Sequence, residues 1–152
     1  MSNDISSTIQ DFIHHITGHM QIQCDVSISQ EESGSTRVVI QAADNGKLLI
    51  GKNGQNLKAM EHILRIVCLR QNPDLRAVVL DVNNYRQERV QELSSAVHAA
   101  AVRVRESRKS EALEPMSSYE RRVAHTELAS YSDLTTESVG QEPHRRVVIK
   151  PL

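Results

Sequence analysis

Apolar residues along this chain change their spacing several times between a helical period and strict alternation. Residues 4–18 repeat apolar side chains every three or four positions, whereas Ile22 to Ile28 alternate strictly with polar ones. The first pattern is typical of an amphipathic helix and the second of a strand with one buried face. Because the chain interleaves the two patterns, we expect an α+β fold.

The first half of the chain continues this interleaving. Further elements are predicted as a hairpin over 21–43, a short helix or turn at 47–50, a helix ending near Asn72-Pro73, and a strand at 76–82. Residues 1–83 therefore form one unit with the order αββααβ.

A long helix is predicted next. Apolar residues recur every three or four positions from about 84 to 109, and the middle of this segment is rich in Ala. We interpret residues 84–111 as a connecting helix that packs on the first unit and leads to a second.

The second unit, residues 112–152, is small. Ser117 followed by Glu120 has the spacing of a capping box and predicts a helix over 118–131. Two strands, at 134–139 and 146–149, follow it. This unit is also expected to be α+β.

Charge is distributed unevenly in the sequence. The net charge of the 152 residues is −1, but residues 1–36 contain five acids and no Lys or Arg. The other 116 residues hold all 18 basic residues against 14 acids. A net positive segment favours nucleic acid as a partner. An acidic surface helix beside a neutral body remains an alternative.

The sequence predicts a cytoplasmic protein. The first residues lack the basic and apolar regions of a secretory signal, and no apolar run approaches the ~18 residues of a membrane span. Cys24 and Cys68 lie far apart within apolar stretches, which indicates buried thiols in a reducing compartment.

A glycine-bounded basic turn connects two of the predicted helices. Gly51 and Gly54 enclose Lys52 and Asn53. Glycines let a backbone turn tightly and approach a ligand closely, and the amino end of the following helix favours anions. Residues 51–70 contain four basic residues and one acid: Lys52, Lys58, Arg65 and Arg70, with Glu61 as the acid. This turn suits phosphate, although a purely structural glycine turn has the same pattern.

The order of elements around this turn resembles the type II KH domain. The resemblance implies that the Gly-x-x-Gly loop contacts the backbone of about four single-stranded nucleotides. It implies phosphate contacts from Lys52 and Asn53, with Lys58 adding charge. It also implies that Ile50 and Leu57 line a groove for the bases. Aromatic residues for stacking are absent there, so shape, aliphatic contacts and backbone hydrogen bonds would have to hold the bases.

Arg121 and His125 are spaced to lie on one face of the predicted helix, with Arg122 beside them. Such donors suit an anion, although a solvated helix face has the same spacing. Two segments around them, Pro115–Arg122 and Thr136–Ile149, resemble the domain named for its Arg-x-x-x-His motif. The resemblance implies single-stranded nucleic-acid binding, with Arg121 and His125 as the motif residues.

A KH-like unit, a long helix and an Arg-x-x-x-His unit, in this order, resemble the bacterial Jag family. Many Jag proteins carry a further N-terminal domain, which this chain is expected to lack. The family resemblance suggests roles near membrane insertion, cell-wall growth or sporulation.

The sequence thus predicts a protein that binds single-stranded RNA, with single-stranded DNA as a second ligand to consider, and that is not an enzyme. No cofactor is expected. His15 and His19 are spaced for a metal, but no third ligand is evident, so no metal site is predicted. A hydrolase using His125 is disfavoured, because Arg121 opposes its protonation. The main alternative is a protein-interaction adaptor, as a homodimer or with another protein, that binds RNA incidentally.

Overall fold

The computed structural model describes residues 5–152 of the chain. Its contacts divide the protein into two compact units, one ending at Arg86 and one running from Gln87 to Leu152. Each unit has a hydrophobic core of its own. None of the helices within residues 5–152 is both long and apolar enough to cross a membrane.

The first unit has the predicted order αββααβ. Its elements are α1 (Ile5–His19), β1 (Cys24–Gln30), β2 (Thr36–Ala42), α2 (Gly46–Ile50), a single 3-10 turn (Lys52–Gly54), α3 (Gln55–Gln71) and β3 (Val78–Val82). The prediction of α1 from residue 4 agrees with this helix, although residue 4 itself lies outside the described residues.

Strand β2 is the centre of a three-stranded sheet in this unit. It pairs antiparallel with β1 and parallel with β3. The parallel pair requires a crossover, which α2 and α3 supply. Val38 and Ile40 point into the core, while Arg37 and Gln41 alternate with them on the exposed face.

The two cysteines both belong to this unit and are free thiols. Cys68 is buried, and burial raises the pKa of its thiol. Cys24 is only half-buried, because it lies at the start of the edge strand β1.

The second unit contains most of α4 (Tyr85–Ser107), then β4 (Glu111–Ala112), α5 (Ser118–Leu128), β5 (Leu134–Val139) and β6 (Arg146–Pro151). Its strands form an antiparallel sheet in the order β4-β6-β5. The short strand β4 was not predicted. The capping box at Ser117 and Glu120 was predicted, and it is confirmed.

The role of α4 differs from the expected connecting helix. Its buried residues belong to the core of the second unit: Leu93, Val97, Ala100, Ala101 and Val104. Ala100 and Ala101 are fully buried, since small side chains let the neighbouring elements approach the helix closely. The Ala-rich stretch is therefore part of the core of the second unit.

Candidate nucleic-acid interface

Three residues of the loop between α2 and α3 have positive φ angles. Gly51 has a φ of 70°, Asn53 has 52° and Gly54 has 74°. The Gly54 N–H donates to the Gly51 carbonyl at 3.2 Å, which closes the turn. Lys52 and Asn53 between the glycines are both exposed. The loop thus presents a cation and an amide to solvent.

Both glycines are required by close neighbours as well as by their φ angles. A Cβ on Gly51 would lie 2.6 Å from the side chain of Asn56, and one on Gly54 would lie 2.9 Å from the Tyr85 ring. Asn56 is itself fixed, because its side-chain amide donates to the Leu48 carbonyl at 2.8 Å. The loop is therefore held from both sides.

In the part of the chain that the structure describes, the cations on the loop and on the two helices that flank it are not neutralised by ion pairs. Five exposed cations lie on α2, the loop and α3: Lys47, Lys52, Lys58, Arg65 and Arg70. Within residues 5–152, no ion pair involves any of them. The one acid of α3, Glu61, accepts from the Leu80 N–H and the Arg86 guanidinium. No side chain caps the amino end of α3, which adds a partial positive charge beside the loop.

One of the two apolar residues expected to line a base groove is buried. Leu57 is 2% exposed within the core, so its side chain cannot meet a base. Ile50 is half-buried and packs against the same core. Leu48, which the sequence reasoning missed, is 52% exposed one turn before the loop. The sequence could have indicated the exposure of Leu48, because Leu48 and Leu49 are adjacent in a helix and point in different directions, so one of them tends to lie away from the core.

The motif arginine of the second unit is buried. Arg121 is 7% exposed, and its Nη1 donates to the Met116 carbonyl and to Glu142, each at 2.8 Å. These bonds connect α5 to the segment before it and to the turn between β5 and β6. The expected exposed anion-binding guanidinium is therefore not found at Arg121.

His125 is also engaged within the unit. Its Nδ1 lies 2.7 Å from the Thr136 hydroxyl and its Nε2 lies 2.8 Å from the Ser138 hydroxyl, both on β5. The predicted spacing does place Arg121 and His125 together, but on the side of α5 that packs against the sheet. Neighbouring Arg122 is exposed, and no ion pair joins it to another described residue.

The histidines of α1 form local helix contacts. Nδ1 of His15 lies 2.7 Å from the Asp11 carbonyl, and Nδ1 of His19 lies 2.7 Å from the His15 carbonyl. Within residues 5–152, no cluster of three or more His, Cys, Asp or Glu side chains is arranged to hold a metal ion.

Comparison with known proteins gives the class of the second unit first. Residues 91–151 match the R-3-H domain, the domain of the Arg-x-x-x-His motif, so the match includes most of α4. Three relatives are each named RNA-binding protein KhpB. That of Clostridium symbiosum is 33% identical over 146 residues, covering 93% of this chain and 66% of the relative. That of Lactiplantibacillus plantarum is 37% identical over 102 residues, covering 67% of this chain and 32% of the relative.

The relative from Bacillus subtilis is 35% identical over 127 residues, covering 82% of this chain and 60% of that protein. The chain therefore belongs to the Jag family, the family of the KhpB proteins. It spans between about a third and two thirds of the length of these relatives. Their names describe RNA binding and no enzymatic activity, which agrees with the prediction that the chain is not an enzyme.

Proposed function

We propose that this protein binds single-stranded RNA and that the loop of the first unit contacts the RNA backbone. The observation that carries the proposal is the exposed Lys52-Asn53 pair, held between two glycines of positive φ at the uncapped amino end of α3. The order αββααβ around this loop supports the resemblance to the type II KH domain. The names of the KhpB relatives support RNA as the ligand.

The contacts follow from the chemistry of the loop. The N–H groups of Gly51 and Gly54 already donate within the protein, to the Lys47 and Gly51 carbonyls. The phosphate contacts are therefore proposed for the two exposed residues between the glycines. Lys52 supplies a full positive charge, and Lys58 adds to the local potential. Leu48 is exposed and is proposed to make the aliphatic contact with a base that the sequence predicted for Leu57.

The second unit is proposed to bind the same strand. Two weak sites on one chain raise the joint affinity, because the second contact becomes intramolecular. Arg121 and His125 are proposed to hold α5 in place, and Arg122 to face the RNA. Single-stranded DNA is a competing ligand to be tested. A cytoplasmic site of action belongs to this proposal and is supported by the free thiols Cys24 and Cys68.

The test substitutes the middle of the loop and leaves its glycines in place. Substituting the glycines would strain the fold, because both have positive φ and close neighbours. Asp tolerates the left-handed conformation of Asn53 nearly as well as Asn does. The variant is therefore Lys52→Asp with Asn53→Asp. Its control, Lys109→Asp with Ser110→Asp, makes the same charge change at an exposed segment of the second unit.

Affinity for a labelled single-stranded RNA is measured by fluorescence anisotropy across a salt series. We expect the loop variant to bind about tenfold or more weakly and the control to stay near the wild type. The slope of log K against log salt should flatten by about 0.7 for each phosphate that the variant no longer neutralises. Equal affinities of the loop variant and the control would refute the loop as the RNA-binding element.

A second candidate function is a protein-interaction adaptor, and exposed apolar residues of α3 favour it. Ile63 and Ile66 are 50% and 43% exposed and lie one turn apart. Self-association or docking to another protein would cover them. Sedimentation velocity of Ile63→Lys with Ile66→Lys tests the homodimer form: a dimer converted to monomer supports it, and a wild-type monomer excludes it.

A further inference from the structure

Tyr119 differs from the other aromatic residues of the chain. It is 64% exposed, near the start of α5. Phe12 and Tyr85 pack against the first core, and Tyr131 packs against the second core and the His98 ring. Among the Phe and Tyr residues that the structure describes, Tyr119 is thus the one with most of its surface in solvent.

The exposed side of α5 around Tyr119 is positive. Arg122 lies three residues further along, so the two side chains are neighbours on the helix surface. The two acids of α5 are directed elsewhere: Glu120 accepts from Arg89, and Glu127 lies 2.9 Å from Nε2 of His98. No acid therefore neutralises Arg122 on its own helix.

A basic turn also approaches this end of α5. The Met116 N–H, just before the helix, donates to the Arg145 carbonyl at 3.1 Å. Arg145 and its neighbour His144 are exposed. Glu142 of the same turn is already paired with Arg121. The motif arginine thus neutralises the acid of the turn that carries Arg145.

We propose that an unpaired base of single-stranded RNA stacks on Tyr119, while Arg122 and Arg145 contact phosphates of the same strand. This inference rests on the proposed function and gives the second unit a contact that the first unit lacks. A tyrosine face accepts any base, so the contact adds affinity without strong sequence preference. Arg121 and His125 act as positioning residues, because their bonds hold α5 against β5 and the basic turn.

The experiment compares two labelled strands on the full chain. One is a dodecamer of oligouridylate, and the other is a ribose-phosphate strand of the same length without bases. Tyr119→Ala should weaken oligouridylate binding by about 5-fold to 150-fold, the usual range when one stacked aromatic ring is removed. Its affinity for the strand without bases should not change, which also shows that the variant is folded. Tyr119→Phe should bind both strands like the wild type.

Arg122→Ala provides the matched contrast. We expect it to weaken binding of both strands and to reduce the salt slope by about 0.7, because it removes one phosphate contact and no base contact. If Tyr119→Ala binds oligouridylate like the wild type while the Lys52/Asn53 variant does not bind, stacking is refuted and the proposed function stands. If the wild type binds neither strand at low salt, both the stacking on Tyr119 and the proposed RNA-binding function are refuted.

Discussion

Glu120 links three parts of the second unit, and its truncation should be costly. One carboxylate oxygen accepts from the Ser117 N–H at 2.7 Å and completes the capping box of α5. The other accepts from Nε of Arg89 on α4, also at 2.7 Å. Glu120→Ala removes both contacts and should destabilise the unit strongly.

The magnitude can be worked from these two contacts. Loss of a helix cap costs about 1 kcal/mol. Loss of a hydrogen bond between charged groups costs about 1.5–3 kcal/mol, less here because water can reach Arg89. The sum is about 2–3 kcal/mol. With a urea m-value of about 1–2 kcal/mol/M, the midpoint should fall by about 1–3 M.

Urea titration of the full chain, followed by amide NMR signals of β6, reports on this unit directly. The free energy of unfolding of Glu120→Gln should be only about 1 kcal/mol lower than that of the wild type, since a glutamine also completes a capping box. Glu92→Ala is the control, because the ion pair of Glu92 with Arg89 is 3.7 Å long and Glu92 is 71% exposed, so it contributes little. If Glu120→Ala shifts the midpoint no more than Glu92→Ala does, the assigned role of Glu120 is wrong.

Three further perturbations give distinct results. Although burial alone would raise the pKa of Glu120, hydrogen bonds from Ser117 and Arg89 hold it below its ordinary value. The difference in free energy of unfolding between wild type and Glu120→Gln should therefore be largest at neutral pH and should decrease below about pH 4, as measured by the same urea titration. Gly54→Ala should destabilise the first unit by about 1–3 kcal/mol in thermal melts, whereas Gly18→Ala, with nothing within 4 Å, should stabilise it slightly. His125→Ala should lower the stability of the second unit by about 1–3 kcal/mol because two hydroxyls lose their partner; little change would contradict its bridging role.

Hydrophobic spacing predicted most of the secondary structure. The helices and the two hairpins follow from periods of about 3.6 and 2, and the capping box marked the start of α5. The spacing of apolar residues did not show which part of the protein packs against the apolar face of α4. An amphipathic pattern shows that a helix has a buried face, but the partner depends on tertiary packing.

The candidate site was predicted best where local backbone geometry decides the outcome. The positive φ angles of Gly51 and Gly54 and the exposure of the residues between them agree with a tight, open loop. Leu57 was misplaced because a single helical stripe cannot face both the core and a ligand. The periodicity that grouped it with Leu64 and Cys68 favoured the core.

Arg121 shows why the second site was harder to predict. An arginine in a short helix is usually exposed, and its partners, the Met116 carbonyl and Glu142, come together only in the folded unit. The residues that identify the motif therefore hold the helix, while neighbouring residues face solvent. This separation predicts opposite responses. Substitutions at Arg121 or His125 should change the free energy of unfolding first, whereas those at Tyr119 or Arg122 should change affinity and leave unfolding nearly unaltered.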